Sequence, residues 1–262
     1  MKKLIIYAAA LLSLCSCSIL SGINWNSEGL ASAAGKAITA ANISDEQIVA
    51  LSRQTILQLD QQNVIDNGAY AKRLGRVLSG LTDLDGLPLN FKVYQENQVN
   101  AFACADGSVR VYTGIMDVMS DNELLGVIGH EIGHVAMKHT KKEMRNSLLT
   151  SAALEGIAST SQTAATLTDS QLGAIGNAIL NARYSRKQES EADDYGYAFL
   201  KSVGKNPWGM AMSFEKLQKV AGGSGAQASA AQKLFSSHPD TETRIQRMAE
   251  RATAEGYKRP AK

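Results

Sequence analysis

His130 and His134 lie one helical turn apart, with Glu131 between them, in a segment whose apolar residues recur at helical spacing. At about 100° per residue, the two imidazoles share one face of such a helix and can converge on one metal ion. This H-E-x-x-H pattern is typical of zinc sites in which the glutamate acts as a general base. The alternative is a chance match on a surface helix. The predicted context, an amphipathic helix from about 121 to 139 capped by Ser120, favours the metal site.

A third metal ligand is harder to assign from spacing. His139 lies nine positions after His130, near the opposite side of the same predicted helix, so we expect it to face solvent. The metzincin pattern requires histidine at position 141, where this chain has Lys141, and that family is therefore excluded. Glu189 and Asp193 share a face of a later helix, where one could bind metal while the other orients a ligand histidine or aids proton transfer. Acidic residues near a helix start also complement its dipole, so both interpretations stay open.

Composition and periodicity predict one mainly α-helical domain with a small antiparallel sheet over residues 43–257. The chain has 262 residues, of which 44% are hydrophobic and 20% charged, and these values exclude a disordered chain. Strands are predicted within 88–113, including a hairpin at Asp106-Gly107. Residues 150–180 are predicted to be helical but loosely packed, and 222–232 to be mobile. The other predicted helices cover about 45–62, 70–81, 121–139, 185–204, 207–220 and 240–254.

The first sixteen residues are typical of a signal peptide. Lys2 and Lys3 precede an apolar run of eleven residues, 4–14, which is shorter than the roughly 20 needed to span a bilayer. We therefore predict removal of residues 1–16.

Cys17 follows Leu14 and Ser16 in a pattern that resembles the lipobox of bacterial lipoproteins. This resemblance implies lipidation at Cys17, with residues 17–42 as a tether, and Ser18 after it implies the outer membrane, facing the periplasm. The alternative is that Cys15 and Cys17 both belong to a discarded peptide.

The remaining charge and cysteine content limit the possible partners. Lys+Arg 27 against Asp+Glu 25 becomes 25 against 25 once Lys2 and Lys3 are removed. A neutral chain gives no electrostatic reason to bind nucleic acid, so any membrane contact should come from the lipid. Cys104 would be the one unmodified cysteine, and we expect it to be a buried small hydrophobic residue.

Four segments together resemble the HtpX/Oma-type zinc endopeptidases, and within these the periplasmic lipoprotein members. They are H-E-I-G-H-V at 130–135, S-R-x-x-E-x-E-A-D-x-x-G at 185–196, Asn100-Ala101-Phe102-Ala103 with Gly107, and His238-Pro239 with Arg244. The resemblance covers about residues 40–255. It implies a zincin-like metalloprotease domain that binds one Zn²⁺ per chain.

The resemblance also implies roles for single residues. It makes Glu189 the third zinc ligand, beside His130 and His134, and Asp193 the supporting acid. It places His238 near the zinc, where that residue either polarises the transition state or occupies the water position in a latent form. The alternative is that His238, which precedes Pro239, is a capping or structural histidine.

These features predict a lipid-anchored zinc endopeptidase of the bacterial envelope that cleaves unfolded or misassembled proteins. Glu131 would be the general base, and Asn100, Ala101, Phe102 and Ala103 would form an edge strand that pairs with an extended substrate. Outer-membrane proteins or other proteases are possible partners. The alternative is an envelope chaperone or scaffold lipoprotein with a structural zinc site.

Overall fold

The computed structural model describes residues 43–78, 80–150 and 169–261. The predicted signal peptide, the predicted lipidation site at Cys17 and the predicted tether 17–42 lie outside these residues. Much of the segment predicted to be loosely packed, 151–168, lies outside them as well.

Ten helices and six short strands make up the described part of the chain. The helices are α1 Asp45–Gln62, α2 Ala69–Val77, α3 Thr113–Val118, α4 Asp121–Ala136, α5 His139–Thr150, α6 Asp169–Leu180, α7 Arg186–Ser202, α8 Trp208–Ala221, α9 Ala226–Ser237 and α10 Thr241–Ala254. The strands are β1 Ile65–Asp66, β2 Asp83–Leu84, β3 Leu87–Pro88, β4 Asn90–Tyr94, β5 Ala101–Ala103 and β6 Ser108–Tyr112. Within the described ranges, no helix combines the length and the apolar character needed to cross a bilayer.

The mainly helical α+β class is confirmed, but the four-stranded sheet is mixed rather than antiparallel. Its strand order is β1-β4-β6-β5, and β4 pairs with β6 in parallel while the other two pairs are antiparallel. The chain reverses direction twice between β4 and β6, so these two strands run the same way. The predicted hairpin joins β5 to β6 through Gly107, whose φ is +86°. A Cβ there would lie 2.3 Å from the carbonyl oxygen of Pro88, so only glycine fits.

Local capping signals locate several helix starts correctly. Ser44, Ser120 and Ser185 each form the predicted capping box at the start of α1, α4 and α7. Part of the stretch 222–232 is helical, since α9 begins at Ala226 and buries Ala228 and Ala231, and the mobility expected for this stretch stays a prediction. Small residues let α9 pack closely, although they provide little hydrophobic periodicity in the sequence.

Helices α4 and α7 approach each other closely because glycines line their contact. A Cβ on Gly129 would lie 2.7 Å from the Phe199 ring, and one on Gly133 would lie 2.9 Å from the backbone oxygen of Ala192. A Cβ on Gly196, from the other side, would lie 3.0 Å from the backbone nitrogen of His130. The backbones of the two motif-bearing helices are therefore in direct contact, which brings their polar side chains together.

Candidate metal centre

The two histidines of α4 present their Nε2 atoms to each other at 3.1 Å, and both side chains are buried. His130 Nδ1 lies 2.9 Å from a carboxylate oxygen of Asp193 on α7. A carboxylate accepts a hydrogen bond, so His130 Nδ1 carries the proton and Nε2 presents a lone pair. In the tautomer of His134 that leaves its own Nε2 bare, two nitrogen lone pairs face each other at this distance, an arrangement that a shared cation stabilises.

Glu189 and His238 complete a cluster of four metal-ligating side chains whose donor atoms all lie within 4.8 Å of one another. A Glu189 carboxylate oxygen is 3.4 Å from His134 Nε2, and the other is 3.7 Å from His130 Nε2. His238 Nδ1 is 3.3 Å from His130 Nε2 and 3.1 Å from Glu189. Donors placed tetrahedrally at 2.0–2.1 Å from zinc are about 3.3 Å apart, so both the residue types and the spacing fit this ion.

Arg244 on α10 holds the two carboxylates of α7. Its guanidinium donates to Glu189 at 2.5 Å and to both oxygens of Asp193 at 2.6 and 2.8 Å, and the side chain is buried. Burial alone would raise the pKa of Asp193, but the hydrogen bonds and charge of Arg244 lower it to about 2. Asp193 is thereby kept ionised as the acceptor for His130.

Glu131 lies beside the cluster and is itself buried. Burial raises its pKa above the ordinary glutamate value, while the nearby His238 opposes that rise. With His130 and His238 it lines a small cavity whose other walls include Phe214 and Phe235. A buried carboxylate with a raised pKa, next to metal-type donors, is suited to taking up a proton.

Comparison with known proteins agrees with this arrangement. The sequence model of peptidase family M48 matches residues 68–252. The chain belongs to peptidase family M48. It is 42% identical to metalloprotease LoiP of Escherichia coli K12 over 95% of this chain and 98% of the relative, and 40% identical to metalloprotease YcaL of the same organism over 95% and 96%. A Vibrio cholerae O1 protein, provisionally named a beta-barrel assembly-enhancing protease, is 31% identical over 70% of this chain and 38% of its own length.

Membership of family M48, together with these relatives, makes the chain a metalloprotease. Its fold and its metal-type cluster agree with that class. The resemblance to HtpX/Oma-type enzymes is therefore confirmed.

The expectation that His139 faces solvent is wrong in this M48 protein. α4 ends at Ala136, and Lys138 adopts a left-handed conformation with φ +59°, so His139 begins a separate helix. Counting 100° per residue fails across that break. His139 is buried, and its Nδ1 lies 3.1 Å from Nδ1 of His134.

β5 is the edge strand of the M48 sheet, as expected for Ala101, Phe102 and Ala103, and Asn100 directly precedes it. The Asn100 carbonyl accepts from Tyr112, and the Cys104 amide donates to Ser108. Because a strand alternates, the backbone polar groups of Ala101 and Ala103 face away from β6. Cys104 is free and buried, as predicted.

Two residues near the cluster of metal-ligating side chains were not predicted from the sequence. Arg244 was noted only as part of the resemblance, although it precedes Met248 by one helical turn on the buried face of α10. A charged residue on such a face was a usable signal for a buried ion pair. Tyr184, whose ring stacks on His134 with centroids 3.7 Å apart, lies in a short connection and had no comparable signal.

Proposed function

We propose that this metalloprotease is a zinc-dependent endopeptidase in which His130, His134 and Glu189 hold the zinc. The observation that carries the proposal is the cluster of nitrogen and carboxylate donors separated by 3.1–3.7 Å, with Glu131 buried beside it. Two histidines and one glutamate are a ligand set typical of catalytic zinc. Among the residues that the structure describes, this cluster accounts for one zinc per chain.

Bound zinc would supply a Lewis acid that activates water and polarises the scissile carbonyl. Glu131 takes the proton from the attacking water and passes it to the leaving amine, which its raised pKa favours. Asp193 accepts from His130 at 2.9 Å and fixes the tautomer of that ligand. Arg244 in turn fixes Asp193 and Glu189, so the carboxylates do not reorient during the reaction.

We assign His238 to the latent arrangement predicted from the resemblance, because its Nδ1 lies at the fourth corner of the donor cluster. A catalytic zinc needs that position open for water, whereas four protein ligands are typical of a closed site. A structural zinc in a scaffold protein would show the same closure. Activity therefore requires movement of His238 away from the other three donors.

Replacement of His238 by alanine is expected to raise the rate of peptide cleavage several-fold at equal zinc content, because the fourth position becomes available. Initial rates of peptide hydrolysis with zinc measured in each sample test this. Ser237→Ala is the matched control, since its hydroxyl donates only to the Leu234 carbonyl of its own helix. A lower kcat at unchanged KM would instead assign His238 to transition-state polarisation.

The substrates we propose are unfolded or misassembled proteins of the bacterial envelope. The backbone groups of Ala101 and Ala103 that point away from β6 are suited to pairing with an extended chain, which compact proteins rarely present, and both residues are buried, so such pairing requires this edge to be uncovered first. The lipobox-like Cys17 and the signal-like residues before it support an outer-membrane lipoprotein facing the periplasm. The name of the Vibrio cholerae relative agrees with such partners.

The test uses the soluble form beginning at Ser18, in the native and His238→Ala versions, with an unfolded model protein and its folded counterpart as substrates. We expect zinc-dependent cleavage of the unfolded form, lost on chelation and restored by zinc, with the folded form intact. Zinc binding without cleavage in either version would favour the scaffold hypothesis. Membrane fractionation of the full chain beside Cys17→Ser tests the anchor separately.

A further inference from the structure

Two more polar side chains form a hydrogen-bonded series on the Nδ1 side of His134. This series takes no part in the proposed reaction. His134 Nδ1 is 3.1 Å from His139 Nδ1, and His139 Nε2 is 3.0 Å from a carboxylate oxygen of Glu191. His139 is buried, whereas the Glu191 side chain is 40% exposed. The series runs from α4 through the first residue of α5 to α7.

For a neutral His139, counting protons along this series gives one arrangement. The Glu191 carboxylate only accepts, so His139 Nε2 carries a proton and donates it. A neutral His139 then has a bare Nδ1, which can only accept, so His134 must donate from its own Nδ1. The Nε2 of His134, on the side of Glu189, is left with a lone pair.

We propose that His139 and Glu191 are positioning residues that fix His134 in the tautomer and orientation required for metal binding. This inference rests on the proposed function, because it concerns one of the proposed ligands. His139 would do for His134 what Asp193 does for His130, which is to occupy the Nδ1 side of the imidazole ring. Each imidazole of the H-E-x-x-H motif then has its own partner at Nδ1, supplied by a different set of residues.

The geometry also shows why the break after α4 matters. A continuous helix would place residue 139 away from residue 134, with five residues rotating it by about 500°. The left-handed Lys138 reverses the chain and returns the His139 ring to within 5.2 Å of the His134 ring, centre to centre. The turn therefore places Nδ1 of His139 within hydrogen-bonding distance of His134.

The test measures zinc affinity by competition with a chelator, without reference to proteolysis. His139→Leu removes the acceptor and should weaken zinc binding by about 10–100-fold. His139→Asn places a side-chain oxygen near the former Nδ1 and should restore most of the affinity. Glu143→Gln is the control, because it removes a neighbouring carboxylate on α5 that bonds Gln188 instead. We expect the native affinity for it.

The ranking of the two His139 variants separates positioning from packing. Leucine fills the buried space better than asparagine, so a purely structural role predicts tighter zinc binding by the leucine variant, which would overturn the proposal. Unchanged affinity in both variants would also overturn it. If the native chain bound no zinc, the proposed function would fail together with it.

A spectroscopic measurement on the native zinc-loaded protein covers the case in which His139→Leu does not fold. Nitrogen-15 NMR of the histidine rings should show His134 protonated at Nδ1 and His139 protonated at Nε2 with a bare Nδ1. A proton on Nδ1 of His139 would contradict the proposal, because that nitrogen could then no longer accept from His134.

Discussion

Glu131→Gln should retain the fold and bind zinc with native affinity, yet cleave peptides about 10²–10⁴-fold more slowly than the native chain. Glutamine matches glutamate in size but cannot take up a proton. Glu131 is buried beside the cluster of metal-ligating side chains, so bulk water has little access to the site and cannot readily replace it as a base. The loss should appear in kcat, because the base acts in the transition state.

The measurement is single-turnover cleavage of an unfolded model protein, with zinc content and thermal unfolding recorded for each variant. Glu143→Gln is the control, as an isosteric change in a carboxylate outside the donor cluster. A native rate in Glu131→Gln would exclude this residue as the base. If neither native nor variant protein cleaved but both bound clients, the chaperone or scaffold hypothesis would be preferred.

Arg244→Met should lower the free energy of unfolding of the metal-free protein by about 3–5 kcal/mol, the largest stability effect that we expect from a single change. Arg244 is buried and neutralises two carboxylates, Glu189 and Asp193, that are themselves fully buried. Methionine fills much of the same volume, and the arginine already packs over the Phe214 ring at 4.4 Å. The cost therefore comes from the unpaired charges.

Urea unfolding in the presence of a chelator measures this effect. Arg247→Met is the matched control on the same helix, because its side chain is about one-third exposed and its Asp193 contact is longer, at 3.4 Å. We expect it to change stability by less than about 1 kcal/mol. Equal effects from the two variants would show that burial of the Arg244 ion pair is not what stabilises this region.

Features that depend on short sequence segments were predicted well. The capping boxes at Ser120 and Ser185 locate the starts of the two motif-bearing helices, because caps are set by residues three positions apart. The structure brings His130, His134 and Glu189 together, as the motifs suggested. The interpretation of Glu189 nevertheless relied on the resemblance, since an acidic helix start is ambiguous by itself.

Features that depend on tertiary contacts or on an unmarked break were not predictable. Nothing near Lys138 resembles a usual left-handed position, which favours glycine or asparagine, so the helix was extended through His139. The parallel pairing of β4 with β6 likewise depends on the position of β6 between β4 and β5 in the sheet, which the local sequence does not determine. The role of Arg244 could not be predicted because it depends on the tertiary contact between α10 and α7, where Arg244 donates to Asp193.

The pairing of Arg244 with Glu189 and Asp193 affects when the metal-ligating side chains can assemble during synthesis. A chain that emerges N-terminus first presents His134 about 110 residues before Arg244. Until α10 arrives, Glu189 and Asp193 lack the cation that allows them to be buried. An incomplete chain that lacks α10 should therefore be unable to assemble the cluster of metal-ligating side chains, so the capacity to bind metal should arise only when synthesis is nearly complete.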